Sequence, residues 1–206
     1  MARPARNKEP PSPERRAAER ARIVEAAVAV YSDKGYYDAR LEHIAARARI
    51  SRRTVYEHFR DLAALRHAAY ERALQDTLLE VAALLQDDSL EDPVRAALTA
   101  LFRMATERRE IARLITYELY QPARESVALR NQITSLFTQF LHQRIQKDLE
   151  QGLVQRPPDD LTLRAIVGAA EVLGRWLLEN EDVEVGARDD AVLVVLALYR
   201  AMYPRR

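Results

Sequence analysis

From Glu14 onward, apolar residues return at three- and four-residue intervals among charged ones, the spacing of a helical face. Ile23, Ala27, Val30 and Tyr31 mark a first helix, which Gly35 is expected to stop after Lys34. The pattern predicts a short helix from about Arg40 to Ala48, a tight turn, and a second short helix from Arg52 to His58. Asp61 is a good N-cap for a long helix toward Gln86, which Asp87-Asp88-Ser89 breaks. Glu91 to Thr106 and Glu110 to Tyr120 read as two more helices, the second ending at Pro122. A long amphipathic stretch through Leu129, Ile133, Phe137, Leu141 and Leu149 stops at Gly152. Pro157-Pro158 opens a helix reaching Glu179, and a last helix spans about Arg188 to Tyr203. Val192 to Val195 alone has a strand-like run, but no partner strand is readable, so a buried helix is expected. The predicted fold is all-α.

Three parts follow from this punctuation. Residues 1–13, with Pro4, Pro10, Pro11 and Pro13 among charges, are expected to be a flexible basic tail. Residues 14–60 form a three-helix bundle, and residues 61–206 a larger helical domain. The hydrophobic fraction of 48% can fill a core, and only 5 glycines in 206 residues argue against a turn-rich sandwich or barrel. The absence of cysteine excludes disulfides, thiol catalysis and thiolate zinc sites. The first twenty residues have no apolar stretch for a secretory signal. The longest apolar run, Ala191 to Tyr199, is far short of the ~20 residues that span a bilayer. A soluble, cytoplasmic protein with no membrane partner is expected.

Charge is unevenly spread. Residues 1–60 hold 14 basic and 8 acidic side chains, and the remainder holds 18 and 23. A basic head on an acidic body points to a polyanion partner for the first sixty residues. The two short helices concentrate the relevant chemistry. Ile44, Ala45 and Ala48 share one face of the first, Val55 and Phe59 belong to the second, and Ile50 plugs the corner. A turn this short, Arg49-Ile50-Ser51, makes a helix-turn-helix, with the Ser51 hydroxyl capping the second helix. That helix presents Arg52, Arg53, Thr54, Tyr56, Glu57 and His58 outward. Arginine forks match guanine edges and phosphates, so this is what a recognition helix in a major groove requires.

Arg20-x-x-Ile23-x-x-Ala26-Ala27, Lys34-Gly35-Tyr36, Ile44-Ala45 and Ser51-Arg52-Arg53-Thr54-Val55-Tyr56-Glu57-His58-Phe59 resemble the TetR family of bacterial transcriptional regulators. The resemblance covers about Arg20 to Leu65, and the all-helical remainder agrees more loosely with that family's ligand-binding and dimerisation domain. It implies that Arg52, Arg53 and Tyr56 face base edges and that Thr54 and His58 face phosphates. Arg40 and Ser51 complete the expected DNA-binding set, and Ala45, Val55 and Phe59 hold the helices together.

Several positions depart from the family. Arg49 stands where glycine is usual in the turn, and a positive φ there costs an arginine roughly 1 kcal/mol. Arg53 replaces the glycine usual before the threonine, and Glu57 replaces a common aromatic. Ala39 and Arg40 replace threonines, leaving Asp38 as a possible cap, and Leu62 replaces a phosphate-binding lysine. Plainer readings stand beside these. Arg52 and Arg53 can be a solvated charge pair, Tyr56 a packing residue, and Arg15, Arg16, Arg20 and Arg22 an exposed helix face.

In the larger domain, Leu78, Phe102, Tyr117, Tyr120, Phe137, Phe140 and Trp176 are candidates to line a ligand cavity, with simple core packing as the alternative. No lysine or arginine falls clearly inward, which favours a neutral or cationic lipophilic effector over an acidic one. Ile166, Ala169, Ala170, Leu173 and Leu177 on one helix, with Val192, Val195, Leu196 and Tyr199 on the last, are the expected homodimer interface. The four histidines are too scattered for a metal site, and no cofactor is expected. No catalytic motif is present, and Asp159-Asp160 and Asp189-Asp190 sit at helix starts, where the dipole explains them. The expected function is a ligand-responsive repressor that binds a near-palindromic duplex operator as a homodimer. The alternatives are a DNA-binding protein of this fold with no small-molecule effector, acting through a protein partner or architecturally, and a helical-bundle enzyme or carrier.

Overall fold

A computed structural model describes residues 12–122, 124–180 and 186–205. Among these, nine helices follow in order: α1 (Pro13–Asp38), α2 (Leu41–Ala48), α3 (Arg52–His58), α4 (Leu62–Gln86), α5 (Pro93–Glu107), α6 (Arg109–Leu119), α7 (Arg124–Glu150), α8 (Asp160–Glu179) and α9 (Ala187–Met202). No strand appears among the described residues; Val154 and Arg205 form one isolated bridge. The fold is all-α, as the periodicity predicts.

Local chemistry sets the boundaries. Ser12, Asp61, Asp92 and Asp159 each accept a backbone N–H in the first turn of the helix they open. Pro13 and Pro93 stand at helix starts, where a missing N–H is harmless. Residues 1–11 of the expected tail lie outside the described residues, while Ser12 and Pro13 belong to the start of α1. Gly35 breaks α1 at φ 79° after Lys34, and one further turn runs to Asp38. Asp38 does not cap α2. Instead the Arg40 backbone N–H donates to Nδ1 of His43 at 3.3 Å.

Two apolar clusters result. The first joins Ile23, Ala27 and Tyr31 of α1 to Ile44, Val55 and Phe59, then continues into Leu65 and Ala69 of α4 and Ile111, Leu114 and Ile115 of α6. The second fills the larger domain from Val81 and Phe102 through Ile145 and Leu163 to Tyr203. The expected division at residue 60 therefore does not coincide with a division of the core, because α4 and α6 belong to both clusters. Asp148, fully buried on α7, is held by Arg144 and by Arg205 at 3.1 Å, and Arg144 and Lys147 also hold Asp88. These pairs fasten the end of α7 to the chain terminus and the α4–α5 loop.

The expected dimer residues divide in two. Ile166, Ala170, Leu177, Val192, Val195, Leu196 and Tyr199 are buried in the subunit's own core. Ala169 and Leu173 are partly buried against it. The uncovered apolar face of α8 and α9 carries Val172, Trp176, Leu193, Val194 and Leu198 instead. Periodicity finds the apolar stripes correctly but does not say which stripe the subunit covers itself.

Candidate DNA-binding and ligand-binding sites

The turn between α2 and α3 has the backbone its sequence strains to adopt. Arg49 sits at φ 55°, ψ 46°, the sole non-glycine with positive φ among the described residues. Its N–H donates to Ala46 at 3.1 Å and that of Ile50 to Ala45 at 3.0 Å, which closes α2 in a Schellman motif. Ser51 then caps α3, accepting the Thr54 N–H at 3.1 Å, and its hydroxyl shares a 2.9 Å hydrogen bond with that of Thr54.

Arg52, Arg53 and Tyr56 all project from α3 into solvent, with Tyr56 51% exposed. Each arginine is engaged by a carboxylate: Arg52 by Glu42 of α2 at 2.9 Å, and Arg53 by Glu57 at 3.2 Å. Such exposed pairs contribute about 0–1 kcal/mol, so a phosphate or guanine edge can replace them readily. Arg40 is exposed at the start of α2, and Tyr37, not singled out from sequence, is the most exposed aromatic of this region. His58 departs from its expected place beside phosphates. Its side chain is only 5% exposed and is hydrogen-bonded to Glu19 of α1 at 2.9 Å. That bond holds the Glu19 carboxyl below its usual range. The arginines of α1 have fastening roles as well. Arg16 donates to the Glu57 carbonyl at 3.1 Å, and Arg20 lies 4.8 Å over the Phe59 ring.

The larger domain encloses a cavity of about 200 Å³ among α4, α5, α6, α7 and α8. Leu74, Val81, Leu98, Met104, Ile133 and Ile166 are among its many apolar walls. Tyr120 and Phe137 line it as expected, but the other five candidates do not. Phe102 is buried behind it, packed against Gly174, and Phe140 meets Phe137 edge-on at 6.4 Å from outside. Leu78 lies outside the lining, although Leu74 and Thr77 of the same helix border it. Trp176 lies on the uncovered face of α8, and Tyr117 meets Tyr36 with ring centroids 4.3 Å apart and planes tilted by 39°.

Arg130, Arg175 and Glu171 also line the cavity, which removes the basis for favouring a neutral or cationic effector over an acidic one. Both guanidinium groups lie on the Tyr120 ring, at 4.9 and 4.8 Å from its centroid. The Tyr120 hydroxyl donates to Glu171, and burial followed by that hydrogen bond pushes its pKa up to about 12. A signal for Arg130 exists in the sequence. It stands three, four and seven residues before Ile133, Thr134 and Phe137, on their helical stripe.

Residues 23–69 match the family model for bacterial regulatory proteins of the tetR family. A comparison with curated proteins finds no match. Among solved structures, a TetR-family transcriptional regulator from Pectobacterium atrosepticum is 22% identical with a TM-score of 0.73, over 95% of this chain and 100% of that one. A TetR-like regulator from Rhodococcus sp. RHA1 is 20% identical with a TM-score of 0.60, over 94% and 98%. The FadR transcriptional regulator of Bacillus subtilis, in complex with stearoyl-CoA, is 17% identical with a TM-score of 0.61, over 89% and 97%. At these identities the likeness is one of fold. The matching segment 23–69 spans the helix-turn-helix, so this part of the chain is similar to the bacterial regulatory proteins of the tetR family, and the chain as a whole shares the fold of these solved structures.

Proposed function

We propose that the chain is a homodimeric transcriptional repressor that binds a near-palindromic operator and leaves it when a small lipophilic molecule fills the cavity. The observation that carries the proposal is α3, a capped helix whose exposed face presents Arg52, Arg53 and Tyr56 beyond a steep turn. A single such helix reads too few base pairs, and a two-fold pair reads two half-sites. The uncovered face of α8 and α9, with Val172, Trp176, Leu193, Val194 and Leu198, supplies apolar surface for that pairing.

Coupling between cavity and DNA face is supported by α6. One side of it packs Ile111 and Leu114 into the core shared with α1, and Ala112, Thr116 and Leu119 line the cavity. Leu74 and Thr77 give α4 a second connection, since its first turns pack against α1 in the core that also holds Val55 and Phe59. A ligand that shifts either helix repositions the DNA heads. A coupling of ~1–3 kcal/mol changes DNA affinity about 5- to 150-fold. The test is to titrate the DNA upstream of the protein's own gene with and without a lipophilic compound that binds the protein. A compound that fills the cavity and leaves DNA affinity unchanged removes the effector role, and absence of DNA binding removes the regulator role.

A further inference from the structure

We infer that the cavity takes an amphiphilic anion: an unbranched apolar chain ending in a carboxylate or phosphate, its head held by Arg130 and Arg175. This rests on the ligand-binding role proposed above and adds the chemical class of the ligand.

The lining is polarised. Val81, Leu85, Val94 and Leu98, at the α4–α5 end, are buried and wholly apolar. Tyr120, Arg130, Glu171 and Arg175, where α6, α7 and α8 meet, are partly or fully exposed. A ligand entering there leaves its polar end at the arginines and its chain among the aliphatic walls. The cavity, about 200 Å³, is smaller than the ~300–1,000 Å³ usual for drug-sized ligands, which suits a slender chain better than a fused ring system.

The charges favour an anionic head. Arg130 donates to the Leu119 carbonyl at 2.8 Å, and no described carboxylate lies within ion-pair distance of it. Among the described residues, Arg175 has only Glu179 as an ion-pair partner, one turn on, at 3.9 Å. Glu171, the nearest carboxylate in the lining, already accepts the Tyr120 hydroxyl. The Tyr120 ring keeps both guanidinium groups in one neighbourhood, each with donors to spare. Planar guanidinium forks match carboxylate and phosphate oxygens bidentately. A cationic head at the same place meets two positive groups.

The test is calorimetric titration of the full-length protein with decanoate, decyl phosphate, decanol and decyltrimethylammonium, each kept below micelle formation. The expected result is that at least one of the two anions binds ten-fold or more tightly than decanol and that the cation binds more weakly than decanol. Preference for decanoate over decyl phosphate assigns a carboxylate head, and the reverse a phosphate. Arg130→Gln and Arg175→Gln should each bring the anion-to-decanol affinity ratio toward one, with Arg130→Lys retaining part of it. Helical circular dichroism and the melting midpoint establish that the variants are folded. Equal affinities for anion and alcohol, preference for the cation, or an unchanged ratio in the double variant overturns the inference. So does failure of carboxylates and alkyl phosphates from six to sixteen carbons to bind at all. The effector role is separable: an anion that binds selectively without altering DNA affinity upholds this inference and removes that role. DNA release by some other lipophile, with no anion binding, does the opposite.

Discussion

Arg66 of α4 and Glu118 of α6 form an ion pair at 2.9 Å, with side chains only 27% and 16% exposed. The Arg66 guanidinium also lies 5.1 Å over the ring of Tyr36, the residue that follows the break in α1. Two residues beyond Glu118, Tyr120 lines the cavity. The end of α6 and its C-cap thus touch both the helix-turn-helix bundle and the cavity. Glu118→Gln leaves the shape in place and removes the charge, and it should destabilise the protein by about 1–3 kcal/mol. It should also reduce the ratio of DNA affinities measured with and without ligand. Thermal unfolding and paired DNA titrations check this, and an unchanged ratio means that coupling runs through α4 alone.

Arg49→Gly should stabilise the protein. The position lies in the left-handed region, where a side chain costs roughly 1 kcal/mol that glycine avoids. The urea midpoint should rise with an unchanged m-value. A fall in the midpoint would show that the Arg49 side chain contributes more than its backbone strain costs.

Stability should decline in acid through the capping carboxylates. The Ala64 N–H and the Arg60 side chain hold Asp61 below its usual range, and the Thr162 N–H does the same for Asp159. Lys147 and Arg144 likewise lower Asp88. A depressed folded pKa means that the unfolded chain binds more protons between the two values. The stabilisation is therefore complete above the unfolded value of about 3.9 and is lost as pH falls through the folded ones. Denaturation curves should show near-constant stability down to about pH 5 and a steep loss below about pH 4. Asp61→Asn with Asp159→Asn keeps capping capacity and should flatten that loss. An unchanged acid slope would assign it to other carboxylates.

The face of α8 and α9 makes a prediction that separates two kinds of apolar position. Val172→Asp and Leu198→Asp place charge on exposed residues and should yield folded monomers with weakened DNA binding. Val195→Asp places charge on a residue with no exposure and should unfold the subunit itself. Sedimentation with circular dichroism distinguishes the outcomes, and wild-type protein that sediments as a monomer at micromolar concentration contradicts the dimer.

The helix order and most ends were legible because caps and breakers such as Asp61, Gly35 and Ser51 act locally. The α2–α3 turn was legible for the same reason, while the positive φ at Arg49 was suggested only by the glycine usual there in the family it resembles. What a stripe packs against is a tertiary fact. Ile166 and Val195 were expected at a dimer contact because α8 and α9 are apolar on more than one side, and spacing alone does not rank the sides. Trp176 and Phe102 were expected in the cavity on residue type, yet one faces outward and the other packs behind the wall. Arg130 and Arg175 were missed because their long stems and charged ends read as surface, although each continues a stripe that enters the chamber. His58 was expected outward from its place in a motif, and the partner that turns it inward, Glu19, lies 39 positions away.

The central claim is that α3 reads DNA, and selection from a random duplex pool tests it most directly. Wild-type protein should enrich a near-palindromic sequence with salt-dependent affinity. Arg52→Ala and Arg53→Ala should each lose ~1–3 kcal/mol and relax base preference at one position of each half-site. Failure of the wild type to enrich any sequence, or a double variant that keeps both affinity and base preference, would contradict the account.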